Sequence, residues 1–148
     1  MMTSNSSQPN RSKIYIAVLG TGSQCTETIA IAAHKVGEGI AKRGAVVVCG
    51  GIGGVFQNVF EGANCFGGET IAITEDDNTV DTVICNHAIA TGMGTPRYSI
   101  IANTCSGGVV LGGWIGSLIL MMNFLAKGYR KKPARMKITQ AASCTQPR

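Results

Sequence analysis

Residues 45–54 read AVVVCGGIGG, and residues 107–116 repeat the plan as GGVVLGGWIG. In each, a short apolar run (45–49 and 109–111) ends on glycines (Gly50, Gly51, Gly53 and Gly54; Gly112, Gly113 and Gly116), and a segment with helical character follows. A strand that turns tightly into a helix aims unpaired backbone N–H groups and the positive end of the helix dipole at one point, which suits an anion such as phosphate. The repeat therefore predicts a site for a phosphate-bearing small molecule.

Working outward, residues 14–19 (IYIAVL) form another short apolar run, consistent with a strand buried on both faces. Residues 26–43 place apolar side chains at Ile29, Ala33, Val36 and Ile40, the stripe of an amphipathic helix that Gly44 stops. Further strands are expected at 45–49, 69–73, 82–85 and 107–111, and further helices at 55–66, from Pro96 to about Thr104, and at 115–127. Strands alternating with helices imply parallel crossovers, so the expected fold class is α/β, a Rossmann-like three-layer sandwich around a doubly wound parallel sheet.

With 148 residues, 45% of them apolar, the chain fits one domain with a core of ordinary size. Residues 13–127 are expected to form it, between a polar tail at 1–12 without an apolar signal segment and a basic, weakly ordered tail at 128–148. A cytoplasmic location is the corresponding expectation. The net charge of +5 is uneven: residues 1–125 sum to −2 and residues 126–148 to +7. The basic end reads as solvated charge rather than a nucleic-acid partner. None of the six cysteines forms a C-x-x-C pair, so they read as small buried thiols, and the distant His34 and His87 give no metal site. His87 reads as an exposed loop residue, and Glu75, Asp76, Asp77 and Asp81 as a solvated loop.

In such a fold, ligands bind at the carboxyl ends of the strands, where all the glycine clusters and TGMGTPR (91–97) fall. The first cluster, Gly20-Thr21-Gly22-Ser23-Gln24-Cys25, approaches G-x-G-x-x-G but ends in cysteine. The second strand ends in Cys49-Gly50-Gly51 where a dinucleotide fold would supply an acid, which disfavours NAD. No G-x-x-x-x-G-K-[ST] loop occurs, which removes the common nucleoside triphosphatases. One cluster could simply make a turn; three at strand ends favour a ligand.

The succession AVLGTGSQ (17–24), AKRGAVVVCGGIGGVFQNVFEGANCFGGETIAI (41–73) and TGMGTPRYSIIANTCSGGVVLGGWIGSL (91–118) resembles the Lonely Guy-like superfamily, most closely the branch of the molybdenum cofactor carrier proteins. The cytokinin-activating members are phosphoribohydrolases, which cleave a nucleoside 5′-monophosphate between base and ribose. The resemblance implies that GG-x-x-G-T-x-x-E cradles the phosphate and supplies a carboxylate, with an arginine upstream. Arg97 falls at the arginine, Gly112, Gly113 and Gly116 at the glycines, and Ser117 at the threonine. The acid position is Leu120. Loss of that carboxylate removes the principal group for stabilising positive charge on the ribose, which points to binding without turnover.

The resemblance fades after Leu118, where the family continues to a further buried strand and this chain reads NFLAKGYRKKPARMKITQAASCTQPR (123–148). The last strand is thus expected to be missing or altered. A truncated or frame-shifted gene accounts for this, as does divergence. The uncharged stretch 98–126, followed by basic residues, raises a membrane-attached fragment as a third reading, opposed by its polar residues and glycines. The reading adopted is a carrier or binding protein for a nucleotide or the molybdenum cofactor, with a phosphoribohydrolase as the alternative. Its site comprises Gly20, Gly22, Ser23, Gly50, Gly51, Gly53, Gly54, Thr91, Gly92, Arg97, Gly112, Gly113, Gly116 and Ser117. The resemblance also implies a homo-oligomer, dimer or tetramer.

Overall fold

The computed structural model describes residues 13–22, 25–51, 53–76, 84–113 and 115–130, with side chains to residue 126. Chain order is β1 (Tyr15–Gly20), α1 (Glu27–Lys42), β2 (Val46–Cys49), α2 (Gly54–Asn64), β3 (Thr70–Thr74), β4 (His87–Ala90), α3 (Arg97–Thr104), β5 (Gly107–Leu111) and α4 (Ile115–Arg130). Among the described residues the strands form one sheet in the order β4-β3-β2-β1-β5, and every pairing is parallel. The expected α/β, Rossmann-like architecture is present.

Strand period decides which layer each side chain enters. Val18, Val47, Cys49 and Ala72 pack beneath α1 and α2 with Ile29, Ala33, Val59 and Phe60. Ala17, Leu19, Val46, Val48 and Ile73 face the other way, against Ile101 and Ala102 of α3 and Leu120 and Phe124 of α4. Both faces being covered explains why the strands read as continuous apolar runs.

Thr26 opens α1, its Oγ1 accepting from the Ile29 amide at 3.4 Å, and Glu27 stands in the first turn. The buried face of this helix is Ile29, Ala33, Gly37 and Ile40. Val36 is partly buried against the same core, and Gly37 beside it is buried because α2 crosses there. A Cβ at Gly37 would lie 2.0 Å from the Val59 carbonyl oxygen, and one at Gly62 2.0 Å from that of His34. Two glycines thus let the helix backbones touch.

The fourth strand differs from expectation: it runs His87–Ala90, not 82–85. Residues 82 and 83 lie outside the described residues, and Asn86 sets the start of pairing. Its Oδ1 accepts from the Thr70 amide and hydroxyl at 2.8 and 2.9 Å, and its own amide donates to Thr70 Oγ1 at 2.9 Å. His87 is therefore the first residue of an edge strand rather than part of a loop. Of the tail expected at 128–148, residues 128–130 continue α4, while 131–148, the tail at 1–12 and the altered last strand lie outside the described residues.

The uncharged stretch at 98–126 is divided among α3, β5 and α4. Among the described residues no helix is long and apolar enough to cross a membrane.

Candidate functional site

The chain leaves β1 toward β2 on one side, while β5 flanks β1 on the other, so the strand order reverses at β1. The loops above such a switch point diverge and open a crevice. Here the crevice is a cavity of about 250 Å³. Val18 to Gly22 form its β1 side and Gly50 and Gly51 its β2 side. Phe56 comes from α2, Arg97 and Tyr98 from the start of α3, and Gly116, Ser117 and Leu120 from the first turns of α4. Arg97 is the one charged side chain among these lining residues.

Arg97 is held in place. Its Nε donates to the Gly50 carbonyl at 3.2 Å and its Nη1 to the Gly94 carbonyl at 2.8 Å. Nη1 also reaches Glu75 Oε2 at 3.4 Å, and Nη2 reaches the Tyr98 hydroxyl at 3.4 Å. The guanidinium carbon lies 4.7 Å from the centre of the Tyr98 ring, a cation–π contact. The side chain is only 12% exposed, so its field is less screened than that of a surface arginine.

Glycine at 116 makes room for that arrangement, since a Cβ there would stand 2.7 Å from the Tyr98 hydroxyl oxygen. Ser117 donates from Oγ to the Gly20 carbonyl at 3.4 Å, tying the start of α4 to the end of β1. The first turn of α4 thus faces the cavity through Gly116 and Ser117, and its helix dipole adds positive potential there.

Of the expected site residues, Gly20, Gly22, Gly50, Gly51, Arg97, Gly116 and Ser117 converge on the cavity. Gly53, Gly54, Thr91, Gly92, Gly112 and Gly113 do not line it, and Ser23 lies outside the described residues. Five of those six, Gly53, Gly54, Gly92, Gly112 and Gly113, have positive φ. Gly53 and Gly113, at φ +70° and +131°, adopt backbone that other residues resist. Thr91 accepts from the Met93 amide at 3.2 Å and donates to the Thr74 carbonyl at 2.9 Å, which fixes the loop after β4.

Sequence reasoning missed Phe56 and Tyr98 as cavity walls and Glu75 as the partner of Arg97, whereas Leu120, read as standing at the family's acid position, does wall the cavity. Glu75 follows β3 directly, so its place at the carboxyl end of a strand was an available signal. His87 lies at the opposite end of the sheet. Its Nε2 is 3.7 Å from Glu69, whose carboxyl is held below its usual range by a hydrogen bond from Lys13. The cysteines separate by depth: Cys49 and Cys105 are buried, Cys25 and Cys85 half-buried, and Cys65 is exposed. The buried-thiol expectation thus fails for Cys65, which sits in the turn after α2. Burial pushes the Cys49 thiol well above its usual range, and Cys85 less so.

A relative from Archaeoglobus fulgidus, an uncharacterized protein, is 34% identical over 115 residues, which span 78% of this chain and 76% of that one. The molybdenum cofactor binding protein of the phototrophic bacterium Rippkaea orientalis is similar in structure, with a TM-score of 0.77 and 28% identity. That likeness covers 86% of this chain and 77% of the other. The molybdenum cofactor carrier protein of Chlamydomonas reinhardtii matches with a TM-score of 0.67 and 30% identity over 78% of this chain and 72% of its own. These likenesses in fold are in keeping with the superfamily and branch that the motifs resemble. The SLOG cluster4 family model matches residues 13–140, nearly the whole chain, and the chain belongs to that family.

Proposed function

We propose that this chain binds a phosphate-bearing small molecule, a nucleoside monophosphate or the molybdenum cofactor as cargo, in the cavity above β1 and β2, and releases it unchanged. The observation that carries the reading is Arg97: one nearly buried cation, fixed by two backbone carbonyls, facing strand-end glycines and the first turn of a helix. A buried guanidinium with an anion-favouring helix start beside it suits a single phosphate group. Arg97, the backbone of Gly20 and Gly22, and the amides and hydroxyl at Gly116 and Ser117 would hold that phosphate. The apolar walls, Phe56, Tyr98 and Leu120, would take the remainder of the ligand.

Two further observations support the reading. The solved proteins named above bind or carry the molybdenum cofactor, and Leu120 occupies the cavity wall where a hydrolase of the related type would present its acid. A cavity with one cation suits a small ligand and not a nucleic-acid strand, whose binding uses a tract of cations along the backbone. Self-association belongs to the same proposal, supported by the apolar side chains Ile115, Leu118, Met122 and Leu125 that α4 leaves exposed.

Native mass measurement on the purified full chain is the direct test: retained mass matching a nucleotide or molybdopterin is expected. Adenosine monophosphate incubated with the protein should be recovered intact. Adenine release above a no-protein control would replace the carrier with a phosphoribohydrolase.

A further inference from the structure

Arg97 spends its donors unequally. The bonds it donates to the Gly50 and Gly94 carbonyls, at 3.2 and 2.8 Å, go to neutral acceptors in the backbone and fix where the guanidinium sits. The contact to Glu75 is different in kind. Its 3.4 Å separation is long for a charge-assisted hydrogen bond, which settles near about 2.8 Å. Glu75 is also 62% exposed, against 12% for Arg97. The carboxylate therefore reaches in from water to a cation that is fixed by other groups, and it can turn back to water while the two backbone carbonyls keep Arg97 in place, ready for another anion.

From this asymmetry we propose that Glu75 is an exchangeable counter-ion: it neutralises Arg97 when the cavity is empty, and an incoming phosphate displaces it. The inference rests on the phosphate-binding reading above and gives it a release mechanism. An anion entering the cavity must win Arg97 from Glu75 and then remain near a second negative charge. Both effects weaken binding and speed departure, which a protein that hands over its cargo needs. The lining residues supply no comparable anion, because Arg97 is the charged one among them and Glu75 stands just outside.

Glu75→Gln tests this, because it removes the charge while keeping size and an acceptor oxygen. The exposed position makes a folding defect unexpected, and unchanged urea unfolding would establish that. With adenosine monophosphate and inorganic phosphate as probes on the full chain, Glu75→Gln should bind about three- to tenfold more tightly, mainly through slower dissociation. The gain should vanish when Arg97→Ala is combined with it, since the competition acts through the guanidinium.

Binding by the unaltered chain with no gain, or a loss, in Glu75→Gln would overturn the counter-ion role. A loss would make Glu75 a positioning residue for Arg97. It would leave the phosphate reading standing. A gain that persists without Arg97 would reduce the effect to general electrostatics and overturn the proposal as well. Failure of the unaltered chain and of both variants to bind either probe would overturn the phosphate reading and this inference with it.

Discussion

Leu120 is 3% exposed on the inner face of α4, packed in one cluster with Phe124, Leu19 and Ile101, and its side chain also walls the cavity. A glutamate there would have to ionise against apolar neighbours. Leaving a charge uncompensated in such a place costs about 3–5 kcal/mol. Leu120→Glu should therefore destabilise the protein by about that amount at pH 7 and give no release of adenine from adenosine monophosphate. The pH dependence has a definite sign. Burial raises the folded-state pKa of the new carboxyl above its unfolded value, so the deficit is smallest where both states are protonated. It grows as pH rises from the unfolded value through the folded one. Urea unfolding at pH 4 and pH 7 reads this directly. A variant as stable as the parent at pH 7 and active on the nucleotide would mean that the wall accepts an acid and that the carrier reading is wrong.

The crossing of α1 and α2 is decided by Gly37 and Gly62, whose missing Cβ atoms would each lie 2.0 Å from a carbonyl oxygen of the other helix. Glycine to alanine inside a helix ordinarily gains about 0.8–1 kcal/mol. Here the methyl must push the helices apart, and overpacking of that kind costs about 1–3 kcal/mol. Gly37→Ala and Gly62→Ala should each lower the urea midpoint with the slope unchanged. A raised midpoint would show that the helices separate freely. The crossing also marks where the sequence was hard to read. Val36 was legible as a stripe residue because it is apolar, whereas Gly37 carries no such signal, and only the partner helix reveals its role. Strands β1, β2, β3 and β5 were legible because burial on both faces makes them apolar runs. The short edge strand β4 is mostly exposed and owes its place to Asn86 and Thr70, so local pattern did not locate it. The cavity divides the same way. Its glycines and Arg97 stood out in sequence, while Phe56 and Tyr98 joined it, and Glu75 reached Arg97 from just outside it, through the packing of distant segments.

At the scale of the molecule, α4 buries Leu120 and Phe124 against the sheet and presents Ile115, Leu118, Met122 and Leu125 outward, each between 47% and 69% exposed. Their spacing of three and four residues sets them along one stripe of the helix. A hydrogen bond from Ser99 Oγ to Asn123 Oδ1 at 3.1 Å ties α4 to α3. Four large apolar side chains in line on a fixed helix cost hydration that a partner surface would remove, and contiguous patches of this kind mark interfaces. A second copy of the chain offers the same stripe, so an isologous pair covers both at once. The full chain is therefore expected to sediment as a dimer or larger at micromolar concentration. Replacing Leu118 and Met122 together by lysine should shift it to monomer while circular dichroism and unfolding midpoint stay near those of the parent, because neither side chain belongs to the packed core. A parent that sediments as a monomer would sink the idea, and so would a lysine variant that stays associated, since the stripe would then not be the contact.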